Sequence, residues 1–350
     1  MEDFYCNNSK VDGMSITLRD IARMANVSAA TVSRVLNHKA EGNMRPETYQ
    51  RITRIIKETG YTPHALASGL RTGFSKVVGV ILPDNVNPYY AQLGKAVENE
   101  CFKHGYMTLI CNTNSDVVRE RDYIRHLSGQ RVSGILLCAT GLSAEEIGSL
   151  VPSRTRIILL DEELNGFTGD VVVGDDFKGG VEAARYLLRL GHRRILVITG
   201  PRSLLSSRNR LKGFLHCTGE RGIAVDNGCI VGGAYTIESA YNIVKEKLSS
   251  GPAFTAVFAF NDMMAIGTVK ALNESGIRVP DDVSVLGYDN IFIDVLFRPY
   301  ITTVAAPLVE LGEIAVKRLL SEREDGNGTE NKVLLEPKLV VRDSCAPLSY

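Results

Sequence analysis

Residues 17–37 read TLRDIARMANVSAATVSRVLN, and this stretch predicts two short helices joined by a tight turn. The apolar positions of the first helix recur at helical spacing and are Leu18, Ile21, Ala22 and Ala25. Those of the second are Val32, Val35 and Leu36. Thr17 and Ser28 stand where each helix needs an N-cap, and Asn26 stands at the turn, where Asn tolerates left-handed backbone angles. The segment therefore predicts a helix-turn-helix.

The second helix has a face opposite its apolar stripe that carries small or polar side chains. These are Ala29, Ala30, Ser33, Arg34 and Asn37. Such a face can approach base edges in the major groove of DNA, where Arg pairs with guanine and an Ala methyl contacts the methyl of thymine. An ordinary helical hairpin with a solvated face has the same pattern, so this segment alone leaves both interpretations open.

The charge of the chain is unevenly distributed. Its 350 residues carry no net charge, but residues 17–76 hold 10 Lys/Arg and 4 Asp/Glu, a net of +6. Residues 77–350 hold 29 against 33, a net of −4. A basic small domain joined to a mildly acidic large one suits phosphate binding at one end of the chain, although chance fluctuation of surface charge remains the alternative.

Several classes of protein are disfavoured. Residues 1–16 lack the apolar core of a signal peptide and are predicted to be a disordered leader. No apolar run reaches the length of a membrane span, and a cytoplasmic location is expected. The seven cysteines show no metal-binding spacing, the six histidines are dispersed, and no phosphate-binding loop, nucleophile elbow or zinc-protease motif is present. We expect no metal, no cofactor and no catalytic residue.

Residues 45–60 predict a third helix that begins at Pro46 and ends near Gly60. From residue 77 onward, short apolar strands alternate with amphipathic helices. The predicted strands are 77–82, 106–111, 134–138, 157–161, 195–199, 228–232, 256–260 and 283–288. The predicted helices are 88–104, 116–128, 177–190, 208–221, 237–249, 262–275 and 307–321. This order predicts an α/β core of parallel sheets covered on both faces, and its length suits two subdomains.

Ligands of open α/β sheets collect at the carboxyl ends of the strands. The residues just past the predicted strands are Asp84, Asn85, Asn112, Thr113, Ala139, Thr140, Asp161, Gly200, Asn261, Asp262 and Asp289. Carboxylates and amides that converge in a cleft can bind the paired hydroxyls of a sugar or a similar polyol. Strand ends are also polar because they lead into surface loops, so capping of loops and helices is the alternative role.

Motifs spread from residue 17 to residue 344 resemble the lactose-repressor/galactose-repressor family of bacterial transcription regulators. Besides the helix-turn-helix, they are RPETYQRI (45–52), TPHALASGLRTG (62–73), NPYYAQL (87–93), GHRRI (191–195), RLKGF (210–214), FNDMMAIG (260–267), VLGYDN (285–290), TTV (302–304) and LVVRDS (339–344). Each motif is a weak signal by itself, but their common order and spacing make the resemblance specific.

The resemblance implies a helix-turn-helix domain at 17–62, a hinge helix and linker at 63–76, and a periplasmic-binding-protein-like core at 77–350. The implied N-subdomain comprises about 77–173 and 305–322, and the C-subdomain about 174–304 and 328–345. Helix 307–321 is thus expected in the first subdomain, and the last strands, near 332–342, in the second. In the hinge, Leu70 would insert into the minor groove beside Arg71.

The resemblance also implies roles for individual residues. Ala29, Ala30 and Arg34 would specify bases, and Thr31, Ser33, Asn37 and the basic residues of the third helix would contact phosphate or backbone. Thr17 and Ser28 are also assigned to the DNA-binding surface. Asp161, Arg210, Asn261 and Asp289 would contact a small effector, with Asn87, Tyr89 and Tyr90 at the mouth of its cleft.

The implied protein is a homodimeric repressor of a near-palindromic operator, controlled by a sugar or sugar derivative. The chain ends without a leucine heptad tail, which favours a dimer over a tetramer. A sugar-transport protein would need export and would lack the helix-turn-helix, and a dehydrogenase would need a phosphate fingerprint. A purine sensor would share every feature. Whether the effector loosens or tightens DNA binding stays open.

Overall fold

A computed structural model describes residues 16–36, 44–61, 75–152, 155–249, 254–321 and 331–348. The chain divides into two compact units, Met1–Ser75 and Lys76–Tyr350, and each unit has its own apolar core.

In the part of the first unit that the structure describes, there are three helices, α1 (Leu18–Met24), α2 (Ala29–Leu36) and α3 (Pro46–Thr59). Its fully buried side chains come from the predicted apolar stripes and include Ile21, Ala25, Val32 and Ile52. A side chain from each helix thus meets in one small core, because the i, i+3 and i+4 positions of a helix lie on one face.

Local sequence fixes the ends of these helices. Thr17 and Asp20 form a reciprocal capping box at the start of α1, and the hydroxyl of Ser28 accepts a hydrogen bond from the amide of Thr31 at 3.2 Å. Asn26 has a φ of 50° at the turn, and Gly60 ends α3 with a φ of 62°. The predicted caps, turn and helix end are all present.

The described residues of the second unit form two six-stranded sheets. The strands of the first sheet are β1 (Val77–Leu82), β2 (Met107–Asn112), β3 (Gly134–Leu137), β4 (Ile157–Leu160), β5 (Asp170–Gly174) and β11 (Lys332–Leu335). Their order is β11-β5-β4-β3-β1-β2, and every pairing is parallel. Side chains of β3 and β4 are buried throughout, as expected for central strands with both faces covered.

The second sheet follows the same plan. Its strands are β6 (Ile195–Thr199), β7 (Ile230–Gly232), β8 (Ala256–Ala259), β9 (Ser284–Asp289), β10 (Thr302–Ala305) and β12 (Lys338–Val340). Their order is β12-β10-β9-β8-β6-β7. All pairings are parallel except that β12 runs antiparallel to β10 at the edge.

Helices cover the sheets. They are α4 (Pro88–Lys103), α5 (Val117–Gly129), α6 (Ala144–Leu150), α7 (Asp176–Arg189), α8 (Leu205–Glu220), α9 (Ile237–Leu248), α10 (Asp262–Glu274) and α11 (Leu308–Leu320). Two short 3₁₀ helices lie at Asn227–Cys229 and Phe292–Val295. Helix α11 packs into the core of the first sheet through Leu311, Val316 and Leu319, so it returns to the first half of the core as the sequence predicts.

Three expectations about the core need correction. Strand β11 pairs with β5, so residues 332–335 belong to the first sheet and not to the second, where they were predicted. The sequence reading also missed β5 and α6, and it began β7 two residues early, inside the 3₁₀ helix. A four-residue edge strand does not specify its partner locally, because pairing depends on which sheet edge the chain can reach.

Helices α7 and α8 cross so closely at Gly180 and Gly213 that no side chain fits between their backbones there. A Cβ on Gly213 would lie 1.9 Å from the carbonyl oxygen of Phe177, and one on Gly180 would lie 2.0 Å from that of Arg210. Only glycine fits at these two positions, since the obstacles are backbone atoms. The crossing fixes where α8 presents its side chains.

His192, between α7 and β6, is buried, with 2% of its surface exposed. One ring nitrogen, Nε2, is 3.0 Å from the carbonyl of Ala346 and from the hydroxyl of Ser284, and Nδ1 is 3.0 Å from the hydroxyl of Thr255. Burial lowers the pKa of His192. The ring is therefore a neutral anchor for the C-terminal segment.

Within the described ranges, no helix is long and apolar enough to cross a membrane. No group of three or more His, Cys, Asp or Glu side chains in those ranges is arranged to hold a metal ion. The described cysteines are free thiols. Cys101, Cys138 and Cys217 are buried, whereas Cys111, Cys229 and Cys345 are partly exposed.

Candidate functional site

Ends of strands from both sheets converge on a cavity of about 370 Å³. Its wall includes all seven residues that the sequence analysis assigned to a ligand, namely Asn87, Tyr89, Tyr90, Asp161, Arg210, Asn261 and Asp289. The other lining residues are Pro83, Asp84, Ser115, Cys138, Ala139, Thr140, Glu162, Pro201, Ser203, Leu204, Ser206, Ala234, Tyr235 and Thr236. The volume suits a ligand of monosaccharide size or somewhat larger.

The wall from the first half of the core is built around Asp161, which follows β4. The hydroxyl of Tyr89 donates a hydrogen bond to its carboxylate. The side chain of Asn87 caps α4 by accepting from the amide of Tyr89 at 3.0 Å. The rings of Tyr89 and Tyr90 meet edge to face, with centroids 5.0 Å apart. The cap therefore places both tyrosines at the cavity.

Arg210, on α8, is held in the wall by buried partners. Its Nε and Nη2 donate to the carboxylate of Asp176 at 3.0 and 2.6 Å, and Nη1 donates to the carbonyl of Phe260. The guanidinium carbon lies 3.4 Å from the centre of the Tyr288 ring. With 8% of its surface exposed, Arg210 is fixed in direction and presents its remaining N–H groups to the cavity.

Asn261 and Asp289 complete the wall from the second half of the core. The side-chain oxygen of Asn261 caps α10 by accepting from the amide of Met264 at 2.9 Å, and its Nδ2 lies 3.4 Å from the carbonyl of Tyr235. Asp289 ends β9 with a φ of 112°, a left-handed backbone conformation that is costly for a residue with a side chain. Such strain is typical of functional sites.

Burial changes the acidity of these carboxyl groups. It raises the pKa of Asp161 to about 7, against the opposing hydrogen bond from Tyr89. Burial also raises the pKa of Asp289 well above its ordinary value, although nearby Arg210 opposes the shift. Burial therefore favours the protonated form of both carboxyl groups.

Asp262, which also follows a strand, does not line the cavity. Its carboxylate accepts from the hydroxyl of Thr303 at 2.7 Å and from the amides of Asn290 and Ile291 at 2.6 and 3.2 Å. Burial and the neighbouring Asp262 raise the pKa of Asp294 to about 10, against the opposing charge of Arg342. Asp262 thus orders the loop after β9, which is the alternative that the sequence left open.

Glu162 was missed by the sequence reading, although it directly follows Asp161. Its carboxylate accepts from the amides of Leu205 and Ser206 at 2.5 and 3.2 Å and from the Ser206 hydroxyl at 2.6 Å. Glu162 belongs to the loop after β4, and its partners start α8 beside the second sheet. It therefore joins the two halves of the core across the cavity.

In the first unit, Arg34 and Ala30 are exposed on α2, and Ala29, Thr31 and Ser33 are half-buried. The hydroxyls of Ser28 and Thr31 lie 2.8 Å apart. The exposed face is therefore the small and polar one that the sequence predicted. Asn37, Leu70 and Arg71, the other residues assigned to DNA, lie outside the described residues.

Comparison with known proteins accounts for both units. Residues 17–64 match the family of bacterial regulatory proteins named for lacI, and residues 75–335 match periplasmic binding proteins and the sugar-binding domain of the LacI family. The chain belongs to the LacI family.

A relative from Bacillus subtilis, the HTH-type transcriptional regulator DegA, is 34% identical over 340 residues, which cover 96% of this chain and 100% of DegA. The lac repressor dimer bound to operator and the anti-inducer ONPF matches with a TM-score of 0.84 and 26% identity, over 95% of this chain and 100% of that one. A family member from Enterococcus faecium with bound ribose matches with a TM-score of 0.70 and 29% identity, over 78% and 100%.

The comparisons confirm the predicted family and its α/β architecture with an N-terminal helix-turn-helix. The relatives match over nearly their whole length and are transcriptional regulators. This LacI-family chain is therefore a DNA-binding transcriptional regulator.

Proposed function

We propose that the protein is a homodimeric repressor whose affinity for operator DNA is controlled by a small carbohydrate bound in the core cavity. One observation carries the proposal. A single chain joins a helix that exposes a DNA-compatible face to a cavity whose walls come from two separate sheets. A ligand that draws those walls together changes the position of one half of the core relative to the other. A switch requires such a part with two alternative arrangements.

DNA recognition is assigned to α2. Arg34 and Ala30 are exposed, so both can reach base edges, and Ala29 lies beside them. Thr17, Ser28, Thr31, Ser33 and Asn37 would contact the DNA backbone, which carries no sequence information but sets the register. Leu70 would insert into the minor groove with Arg71 next to it. The net charge of +6 on residues 17–76 favours such binding.

Dimerisation is supported by apolar side chains at the edge of the first sheet. Strand β2 is an edge strand, and the exposed fractions of Met107, Leu109 and Ile110 are 74%, 40% and 42%. Phe102, at the end of α4, is 81% exposed. An exposed edge with apolar side chains is a natural interface for a second copy, and a two-fold dimer would read a near-palindromic operator.

The effector is assigned to the seven predicted cavity residues. Asn261, Arg210 and the carboxylates of Asp161 and Asp289 offer donors and acceptors that match paired hydroxyls, and Tyr89 and Tyr90 offer ring faces for a sugar. The ribose-bound family member supports this class of ligand. We propose that the protein performs no chemical step and acts in the cytoplasm, where its operator is located.

DNA selection tests the first half of the proposal. The purified protein is used to select sites from a random duplex library, without ligand and at moderate salt, and a palindrome is expected. Arg34→Ala should weaken binding to that site by about 1–3 kcal/mol and relax base preference at one position of each half-site. An equal loss on random DNA would assign Arg34 to phosphate, and failure to enrich any palindrome would contradict the dimeric repressor.

A second variant tests the effector site. Asp289→Ala should keep its operator affinity but abolish the change in that affinity on adding effector. The readout is fluorescence anisotropy of labelled operator with and without candidate sugars and a purine base. A response that survives in Asp289→Ala would remove this residue from the site, and a response to the purine alone would replace the carbohydrate assignment.

A further inference from the structure

The cavity is strongly acidic. Four carboxylates line it, from Asp84, Asp161, Glu162 and Asp289, against the single guanidinium of Arg210. The charge of Arg210 is already balanced by a fifth carboxylate, since its Nη2 lies 2.6 Å from Asp176, and both side chains are about nine-tenths buried. The cation in the wall is thus paired from behind by Asp176, so its charge is shared between that partner and the lining carboxylates of Asp161 and Asp289.

Two of the four carboxylates are satisfied by the protein backbone. Glu162 accepts two amides at the start of α8, and Asp84 accepts the amide of Val86 at 2.9 Å. These carboxylates need nothing from a ligand, because amide N–H groups stabilise the charged form.

The other two are not satisfied in this way. Asp161 accepts from the Tyr89 hydroxyl. The carboxylate of Asp289 accepts no hydrogen bond from the part of the chain that the structure describes, although only 7% of the residue is exposed. Asp289 faces the cavity, and the charges of Asp161 and Asp289 repel each other across it. Asp289 therefore has acceptor capacity that the described part of the protein leaves unused, and Asp161 has only the one donor, so a ligand with N–H or O–H groups can fill both.

A protonated amine supplies what is missing. An ammonium group brings a positive charge and three N–H donors, which suits two carboxylates that face one space. The tyrosine rings at the cavity, Tyr89, Tyr90 and Tyr235, also favour a cation over their faces. A phosphate or carboxylate on the ligand would instead meet like charge in a region of low dielectric constant.

We propose that the effector is a hydroxylated amine, of which an amino sugar is the simplest kind, and that Asp161 and Asp289 hold its ammonium group. This inference rests on the proposed function, because it assumes that the cavity is the effector site. It also predicts that the cavity rejects phosphorylated sugars. Burial raises the pKa of Asp161 to about 7 and shifts that of Asp289 in the same direction. An ammonium group favours the charged form of both carboxyls, so binding of the amine should release protons to the buffer.

The test uses the full-length protein and isothermal titration calorimetry at pH 7. The probes are matched sets: glucose, glucosamine and glucose 6-phosphate, and galactose, galactosamine and galactose 6-phosphate. In at least one set the amine should bind about 30-fold more tightly than its neutral parent, and the phosphate should not bind. Titrations in two buffers of different ionisation enthalpy should show proton release for the amine.

Variants separate charge recognition from loss of folding. Asp289→Asn keeps the shape of the side chain and should cost the amine about 30-fold in affinity, while the neutral parent changes by less than about threefold. Asp161→Asn should act in the same direction. Asp281→Asn is the matched control, since its carboxylate is exposed and pairs only with Arg278 on the surface. Circular dichroism checks that each variant is folded.

The outcomes are distinct. Tightest binding by a neutral or phosphorylated sugar, or an amine affinity that Asp289→Asn leaves unchanged, would overturn the amine and leave the carbohydrate-controlled repressor in place. If no probe binds while the protein still selects an operator, the amine and the carbohydrate assignment both fail, and the DNA-binding function stands. Amine selectivity that both variants abolish and Asp281→Asn preserves would support the inference.

Discussion

Arg210 is assigned to the effector site, but its ion pair with Asp176 also contributes to the free energy of unfolding. Replacing Arg210 with Met keeps most of the packing on the Tyr288 ring but removes the cation from the Asp176 carboxylate. Removal of one partner from a buried ion pair usually costs about 3–5 kcal/mol, because the other charge is left buried and unpaired. Arg210→Met should therefore destabilise the protein even when no effector is present.

The loss of stability in Arg210→Met has an upper limit that depends on pH. A stranded Asp176 can avoid its charge by taking up a proton, and its ordinary pKa is 3.8. Holding that proton costs about 1.4 kcal/mol for each unit by which pH exceeds 3.8, which is about 4 kcal/mol at pH 7 and about 2 kcal/mol at pH 5. Since the native state of the variant binds the proton and the unfolded state does not, its stability relative to the parent falls as pH rises through this window.

Urea unfolding of Arg210→Met and of the parent at pH 5 and pH 7, followed by circular dichroism, measures both quantities. The double variant Arg210→Met/Asp176→Asn should recover about half of the loss at pH 7, because no charge is then left in the wall. A loss that is the same at both pH values, or a double variant less stable than Arg210→Met, would refute this account of the pair.

Two further predictions concern anchors of the second half of the core. His192→Ala should lower the free energy of unfolding by about 2–4 kcal/mol, since it opens a cavity and removes the ring's hydrogen bonds to Thr255, Ser284 and Ala346; urea unfolding measures this, and a loss below about 1 kcal/mol would contradict the anchoring role. Gly213→Ala should cost more than about 3 kcal/mol and weaken effector binding, because its methyl would meet the Phe177 carbonyl at 1.9 Å. Gly219→Ala, on the same helix with open space around it, should be neutral or slightly stabilising, and equal behaviour of the two glycine variants would argue against a tight crossing.

The sequence predicted the first unit well because its signals are local. A cap such as Thr17, a turn residue such as Asn26 and an end such as Gly60 each act within a few residues, and all three do in the structure what they were expected to do. The strands of the core were predictable for a related reason, since central parallel strands such as β3 and β4 are continuous apolar runs.

Pairing at the sheet edges could not be predicted in this way. Residues 332–335 have the alternation of an edge strand, but nothing in those residues distinguishes β5 from β10 as a partner. The path of α11 across the first sheet determines that the partner is β5. That path depends on how the whole core packs and not on residues 332–335.

The cavity was predicted because ligands of parallel sheets bind at the carboxyl ends of strands. The residues that this prediction did not name are those that follow unrecognised strands or depend on distant contacts. Asp176 lies just past β5, a strand that was not recognised, and Tyr235 lies three residues past β7. Both were within reach of the same prediction. Glu162 differs, because its role depends on the start of α8 about 40 residues later in the chain, and no local pattern shows such a contact.

The route of the chain between the two sheets has a consequence for synthesis. It passes between the sheets three times, after β5, after β10 and again between β11 and β12. The three-helix unit can fold as soon as residue 60 has left the ribosome, but each sheet waits for an outer strand from residues 332–340. Until those strands emerge, β5 and β10 present open edges to other chains. A chain truncated near residue 325 would carry a complete helix-turn-helix on a core with two unpaired sheet edges. Such a chain should aggregate whether or not the ligand is present.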